Sequence, residues 1–121
     1  MRTFLGSVRH ALRGIRYAFL RERNFQIELA LAVLAITLSF ALPLSPSERA
    51  AIFLVIALVL PLELLNTAFE QVMNILKPGL HPYAKTVKDI AAGSVLIAAL
   101  LAALVGAAIF LPHIATLLFG E

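Results

Sequence analysis

The chain has 121 residues, 61% of them hydrophobic and 14% charged, with a mean hydropathy of +0.95 and a formal net charge of +3. Soluble domains run at about 45–50% apolar and about 25% charged residues, so this is membrane composition, and the length allows one small domain over residues 1–121. Cysteine is absent, which excludes a disulfide framework, a thiolate metal site and a cysteine nucleophile.

Residues 3–23 predict an amphipathic helix. Phe4, Val8, Ala11, Leu12, Ile15 and Phe19 fall on one face, and Arg2, Arg9, Arg13 and Arg16 fall in a narrow neighbouring arc. An apolar face flanked by arginines suits a helix lying in the headgroup plane of an anionic leaflet. A cleavable signal peptide has a short basic head and then an apolar run of about 7–15 residues. Here a patterned helix rich in arginine precedes the first apolar run, so the segment is expected to stay on the chain.

Three apolar runs follow, at about residues 27–44, 50–76 and 90–111. The first is interrupted by Glu28, Thr37, Ser39 and a late Pro43, the second contains Pro61, and the third has Gly93, Ser94 and Gly106. A spanning helix needs about 20 residues for a hydrocarbon core of roughly 30 Å, and no run alternates at period two, so three transmembrane helices are predicted and no strands. The expected class is an all-α membrane protein: a surface helix and three spans in an oligomeric bundle.

Basic residues set the orientation. Arg2, Arg9, Arg13, Arg16, Arg21 and Arg23 precede the first span, Lys77, Lys85 and Lys88 lie between the second and third, and only Arg49 lies between the first and second. The positive-inside rule puts the N-terminus and the 77–88 loop in the cytoplasm, and the 44–48 turn and the C-terminal tail outside. The positive charge is a topology signal and makes no case for nucleic-acid binding.

The second span carries an unusual polar stripe in Glu63-Leu-Leu-Asn66-Thr67-Ala-Phe-Glu70-Gln-Val-Met-Asn74. At about 100° per residue, Glu63, Asn66, Glu70 and Asn74 share an arc of roughly 80°, with Thr67 at its edge. A carboxylate within a span costs about 2.5–3.5 kcal/mol on insertion scales and is a functional candidate by default. Counting inward from Ala50, Glu63 lies about 20 Å deep and Glu70 about 30 Å deep, at the cytoplasmic interface. Glu28 opens the first span, and Lys88-Asp89 opens the third, at that same level.

Each residue has a chemical use there. Glu28 and Glu70 are hard oxygen ligands suited to sharing a Mg2+ ion. Glu63, the deepest, suits a general base on a lipid hydroxyl, and Asn66 can orient a carboxylate or hydroxyl. Lys88 near a helix N-terminus is a phosphate partner, whereas Asp89 in the first turn serves equally to cap that helix or to hold Lys88. Lys85 adds a second cation nearby. For Glu28 the plain alternative is solvation at the interface, an alternative much weaker for Glu63.

The run Glu63-Leu-Leu-Asn-Thr-Ala-Phe-Glu70 resembles the signature of the small bacterial integral-membrane diacylglycerol kinases and undecaprenol kinases. His81-Pro-Tyr-Ala-Lys-Thr-Val-Lys88-Asp89-Ile-Ala-Ala-Gly-Ser-Val-Leu looks like the second motif of that family, closer to its undecaprenol branch. Asn24-Phe-Gln-Ile-Glu28 is similar to the segment carrying its metal-ligand glutamate. The resemblance covers roughly residues 9–111. It implies a multi-pass homotrimer of the bacterial inner membrane that transfers the γ-phosphoryl group of MgATP to a lipid hydroxyl, in sites shared between subunits. By that resemblance Glu63 is the general base, Glu28 and Glu70 hold the metal and contact nucleotide, and Asn66, Lys88 and Asp89 are essential polar residues. The family usually has aspartate where this chain has Asn74, which puts a metal or nucleotide role for that position in doubt.

No G-x-x-x-x-G-K-[ST] loop and no kinase glycine loop occurs, but phosphoryl transfer mainly needs positioning, metal and charge neutralisation. Two rivals lack the same fit. A small oligomeric transporter or channel using Glu63 and Glu70 as ion-coupling groups would place them at the midplane. A structural assembly protein would need only small-residue packing such as Gly93, Ser94 and Gly106, and leaves Glu63 unexplained.

Overall fold

Four helices make up the protein in a computed structural model that describes residues 3–76 and 82–120: α1 (Phe4–Arg21), α2 (Arg23–Ala41), α3 (Pro46–Leu76) and α4 (Ala84–Phe119). Arg2, Lys77 and His81, used above for charge and motif readings, lie outside those residues. α2, α3 and α4 are each long and apolar enough to cross a membrane, so the chain is a multi-pass membrane protein with a surface helix at its N-terminus.

Thr3 starts α1 by accepting a hydrogen bond from the Gly6 N–H through its hydroxyl (3.3 Å). Only Ala18 of α1 is buried, while Phe4, Leu12, Ile15 and Phe19 keep their apolar face open. That face has the composition of an interfacial helix resting on acyl chains. One extended residue, Glu22, joins α1 to α2, and the Gln26 side chain donates to the Phe19 carbonyl (2.9 Å), satisfying an acceptor at the end of α1.

α2 stops at Ala41, short of the sequence limit at 44. Leu42 precedes Pro43 and takes an extended conformation (φ −97°, ψ 153°), as the clash with a following proline ring requires. Its buried residues, Phe25, Ala32 and Ser39, recur every seven positions, giving one seam toward the other helices.

α3 begins at Pro46 rather than near residue 50, so part of the predicted 44–48 turn is helix. Ser45 and Glu48 form a capping box: Glu48 Oε2 accepts from the Ser45 N–H (2.8 Å) and Ser45 Oγ from the Glu48 N–H (3.2 Å), with Pro46 at the first helical position. Glu48 also meets His113 Nε2 of α4 at 3.2 Å, and Arg49 Nε donates to the Ser39 carbonyl at 3.1 Å while its guanidinium lies over the Phe40 ring. One end of the bundle is therefore clasped by polar contacts around a cluster of Leu42, Leu44 and Ile52.

α4 runs well beyond the predicted 90–111 at both ends. Pro112 does not stop it, although proline removes the hydrogen bond to the Ala108 carbonyl. The helix ends at Gly120, whose left-handed conformation (φ 68°, ψ 39°) is a common terminator. α3 and α4 share the most extensive interface. The inward face of α4 carries Ala84, Val95 and Ala98, small enough to let the helices approach closely.

Ser45→Ala removes one half of the capping box and should cost about 1 kcal/mol of stability. Thermal unfolding in detergent should show a lower midpoint with unchanged helicity.

Candidate functional site

The buried stripe of α3 reads Ile52, Val59, Glu63 and Thr67, positions that stay on one helix face. The same seam that buries isoleucine and valine thus carries Glu63 into the bundle, where it is 2% exposed; Thr67 is 7% exposed. Asn66 and Glu70 are half-buried, and Asn74 is exposed. Over three turns the stripe climbs from a buried carboxylate to a surface amide.

Four carboxylates share this end. Glu63 lies within electrostatic range of Glu22, Glu28 and Glu70. Glu28 is half-buried, and its Oε2 atom is buried with no hydrogen-bond partner among the described residues. Against these stands Lys88: its Nζ lies 3.3 Å from Glu70 Oε1 and donates to Asn74 Oδ1 at 3.3 Å. Asn74 therefore holds the lysine through its amide oxygen and adds no charge. A further tie joins the surface helix to α3, with Gln71 Nε2 donating to the Tyr17 hydroxyl at 3.3 Å.

Two expectations need correction. Because α4 starts at Ala84, Lys88 and Asp89 sit in its second turn, so Lys88 is not at the helix N-terminus and Asp89 does not cap it. Lys88 instead works as an ion-pair partner of Glu70. Asp89 is exposed, one residue and about 100° further round the helix than Lys88. Lys85 is exposed as well. The chain thus gathers Glu63, Thr67, Asn66, Glu70, Asn74, Lys88 and Glu28 at one end, and leaves Asp89 and Lys85 outside that group.

Glu22 was missed by the sequence reading. It sits in the one-residue joint between α1 and α2, where it reads as a solvated charge among arginines, and only the fold brings it within range of Glu63. The signal available was its position, six residues before Glu28 at the start of the same span.

Among the described residues no three His, Asp or Glu side chains cluster tightly enough to cage a cation. Mg2+ does not need such a cage, since it is usually held by one or two carboxylates with waters and substrate phosphates. The unpartnered Glu28 oxygen, in a neighbourhood of glutamates, fits that donor set.

The model of the family described as prokaryotic diacylglycerol kinase matches residues 9–110. The chain belongs to this family. It is 41% identical over 111 residues to the undecaprenol kinase of Bacillus subtilis (strain 168), covering 92% of this chain and 90% of that one. It is 42% identical over 115 residues to a diacylglycerol kinase of Synechocystis, covering 94% of this chain and 66% of that protein, and 32% identical over 98 residues to a diacylglycerol kinase of Pseudomonas aeruginosa, covering 81% and 80%. The chain is a lipid kinase, and its polar stripe is the candidate active site.

Replacing Lys88 by methionine keeps the stem but removes the cation from Glu70 and Asn74. Lipid phosphorylation should fall by roughly 10²–10³-fold, the loss typical for a group that stabilises transferring charge, while circular dichroism stays unchanged. Turnover within a factor of two of the parent chain would remove Lys88 from the site.

Proposed function

We propose that this kinase transfers the γ-phosphoryl group of MgATP to the hydroxyl of a membrane lipid alcohol, undecaprenol in preference to diacylglycerol, at the cytoplasmic side of a bacterial inner membrane with its N-terminus in the cytoplasm. The observation that carries the reading is a buried glutamate, Glu63, grouped with a half-buried glutamate whose Oε2 has no partner among the described residues, beside a lysine already committed to Glu70.

In this mechanism Glu63 takes the proton from the lipid hydroxyl, and that oxygen forms the bond to the γ-phosphorus. The bond from phosphorus to the β–γ bridging oxygen breaks, and ADP leaves. Asn66, one turn along the stripe, orients the hydroxyl or the Glu63 carboxylate, since an amide both donates and accepts. Glu28 and Glu70 are the carboxylates that would hold Mg2+; when bound, the ion would offset phosphate charge and help orient the nucleotide. Lys88 lies where it can exchange its contact with Glu70 for a phosphate oxygen, and Asn74 steadies its amine. Thr67 lines the same seam beside Glu63.

A homotrimer completes the proposal. Three spans enclose too little volume for a nucleotide and a lipid together, and Asp89 and Lys85 are both exposed. Both are then available to a site on an adjacent subunit. The undecaprenol preference is supported by the resemblance of the His81-Pro-Tyr-Ala-Lys segment and by the similarity to the Bacillus subtilis protein, and the polar residues themselves treat both hydroxyls alike.

Purified protein in mixed micelles containing both lipids and MgATP should phosphorylate undecaprenol with the higher kcat/KM. Glu63→Gln should reduce turnover of either lipid by about 10²–10⁴-fold, the range of a lost general base, with the fold intact. Near-normal turnover by that variant would take Glu63 out of the chemistry.

The carboxylates separate from one another by metal titration. Glu28→Ala and Glu70→Ala should each raise the Mg2+ concentration needed for half-maximal rate, because each removes one of very few protein ligands. A normal requirement in either variant would leave that glutamate as an interfacial group only.

A further inference from the structure

Three arginines of α1 hold nothing of their own chain. Arg9, Arg13 and Arg16 recur at i, i+4 and i+7 and, with Leu12, line an open concavity of about 290 Å³. All three are exposed, and no Asp or Glu occurs between Phe4 and Arg21. The ion pairs among the described residues, Lys88–Glu70 and His113–Glu48, lie on α3 and α4.

Helical spacing gives this arc a place in the membrane. At about 100° per residue the three arginines fall within about 60° of one another, on the flank of α1 opposite its buried residue, Ala18. The exposed apolar face of Val8, Leu12, Ile15 and Phe19 lies between the two flanks, roughly a quarter turn from each. With that face resting on acyl chains, the arginine flank stands at the depth of lipid phosphates.

We propose that Arg9, Arg13 and Arg16 form a headgroup site for a lipid phosphomonoester, separate from the polar stripe of α3. The inference rests on the lipid-kinase reading in one respect: the product of that reaction belongs to this class, so α1 holds product lipid beside the enzyme that makes it.

Charge selects the monoester. A phosphodiester headgroup brings one negative charge and two free oxygens, whereas a monoester brings nearly two charges and three free oxygens. Each guanidinium presents a planar fork of N–H donors that can take phosphate oxygens in pairs, so three forks with no carboxylate to share suit the richer acceptor. Leu12 selects a lipid over a free anion. It lines the same concavity and belongs to the apolar face, so a phosphate carried on an acyl chain gains apolar contact that inorganic phosphate lacks.

The test is native mass spectrometry of the full chain in detergent, titrated with dioleoylphosphatidate or dioleoylphosphatidylglycerol. The parent chain should bind phosphatidate about fivefold more tightly, the scale of one added charge-assisted hydrogen bond. Replacing all three residues, Arg9→Gln with Arg13→Gln and Arg16→Gln, should weaken phosphatidate binding by about tenfold or more and abolish the preference. None of the three is buried, so circular dichroism should not change. The triple arginine-to-lysine variant keeps the charge without the fork, and should bind both lipids with most of the preference lost. Equal binding of the two lipids by the parent overturns the proposal, as does unchanged selectivity in the glutamine or lysine variant. Equal competition by inorganic phosphate also overturns it. So does a changed oligomer mass in the glutamine variant, which would make the arc a contact between copies. Binding is read without ATP or turnover. Absence of lipid phosphorylation would therefore count against the kinase mechanism alone, and absence of selectivity against this site alone.

Discussion

The Glu63 carboxylate, 2% exposed on the seam of α3, sets the constraint that the rest of the bundle answers to. Burying a charged or polar group away from water is costly unless partners surround it. The surrounding structure keeps that cost bearable by position. Glu63 lies toward the end of α3 where Thr67, half-buried Asn66 and Glu70, and the Lys88 amine follow within three turns. Small residues on α4 let α3 come close, so the seam is sealed by packing on one side of Glu63 and by polar groups on the other. The 31-residue length of α3 makes this possible, since one helix spans the apolar layer and still projects its last turns past it.

The two ends of the bundle are built differently. At the end near Ser45, the capping box, the Arg49 contact with the Ser39 carbonyl and the Glu48–His113 pair consume the polar groups in structural contacts. Several orphan groups of the helix termini there, the Glu48 N–H and the Ser39 carbonyl among them, find partners within the chain. At the other end the polar side chains are left with spare capacity: Glu28 has an oxygen with no partner among the described residues, Asp89 is exposed, and Lys88 holds Glu70 by a single part-exposed ion pair of the kind that contributes little to stability. A clasped end and an open end suit a protein that must stay assembled while ligands exchange at one face.

Much of this was legible because hydropathy and helical spacing are local. The surface helix with its arginine arc, the three long apolar runs and the one-face stripe of Glu63, Asn66, Glu70 and Asn74 follow from counting residues. The helix ends were less legible, for reasons that are also local but weaker. The third apolar run was bounded at residue 111, yet α4 continues through Pro112, since a single proline within a long apolar helix is carried when the rest of the ladder is intact. Ser45 and Glu48 form a capping signature that was read only as a turn. What the sequence hid was tertiary: Glu22 reaches Glu63 only because a one-residue joint folds α1 back to α2, and Lys88 meets Asn74 only because α4 starts at Ala84.

That last contact recasts the departure at Asn74. Four glutamates already crowd this end with one lysine paired among them, and a nucleotide brings further negative charge. An aspartate at position 74 would bind Lys88 more tightly and deepen the excess of negative charge, whereas Asn74 offers the same oxygen at 3.3 Å without either effect. The lysine is then held in place but not neutralised, and its charge remains for phosphate. Charge balance at such a site is a shared sum over neighbouring groups. The loss of one carboxylate is thus compatible with phosphoryl transfer as long as the amide keeps Lys88 beside Glu70, on helices α3 and α4 that pack against each other.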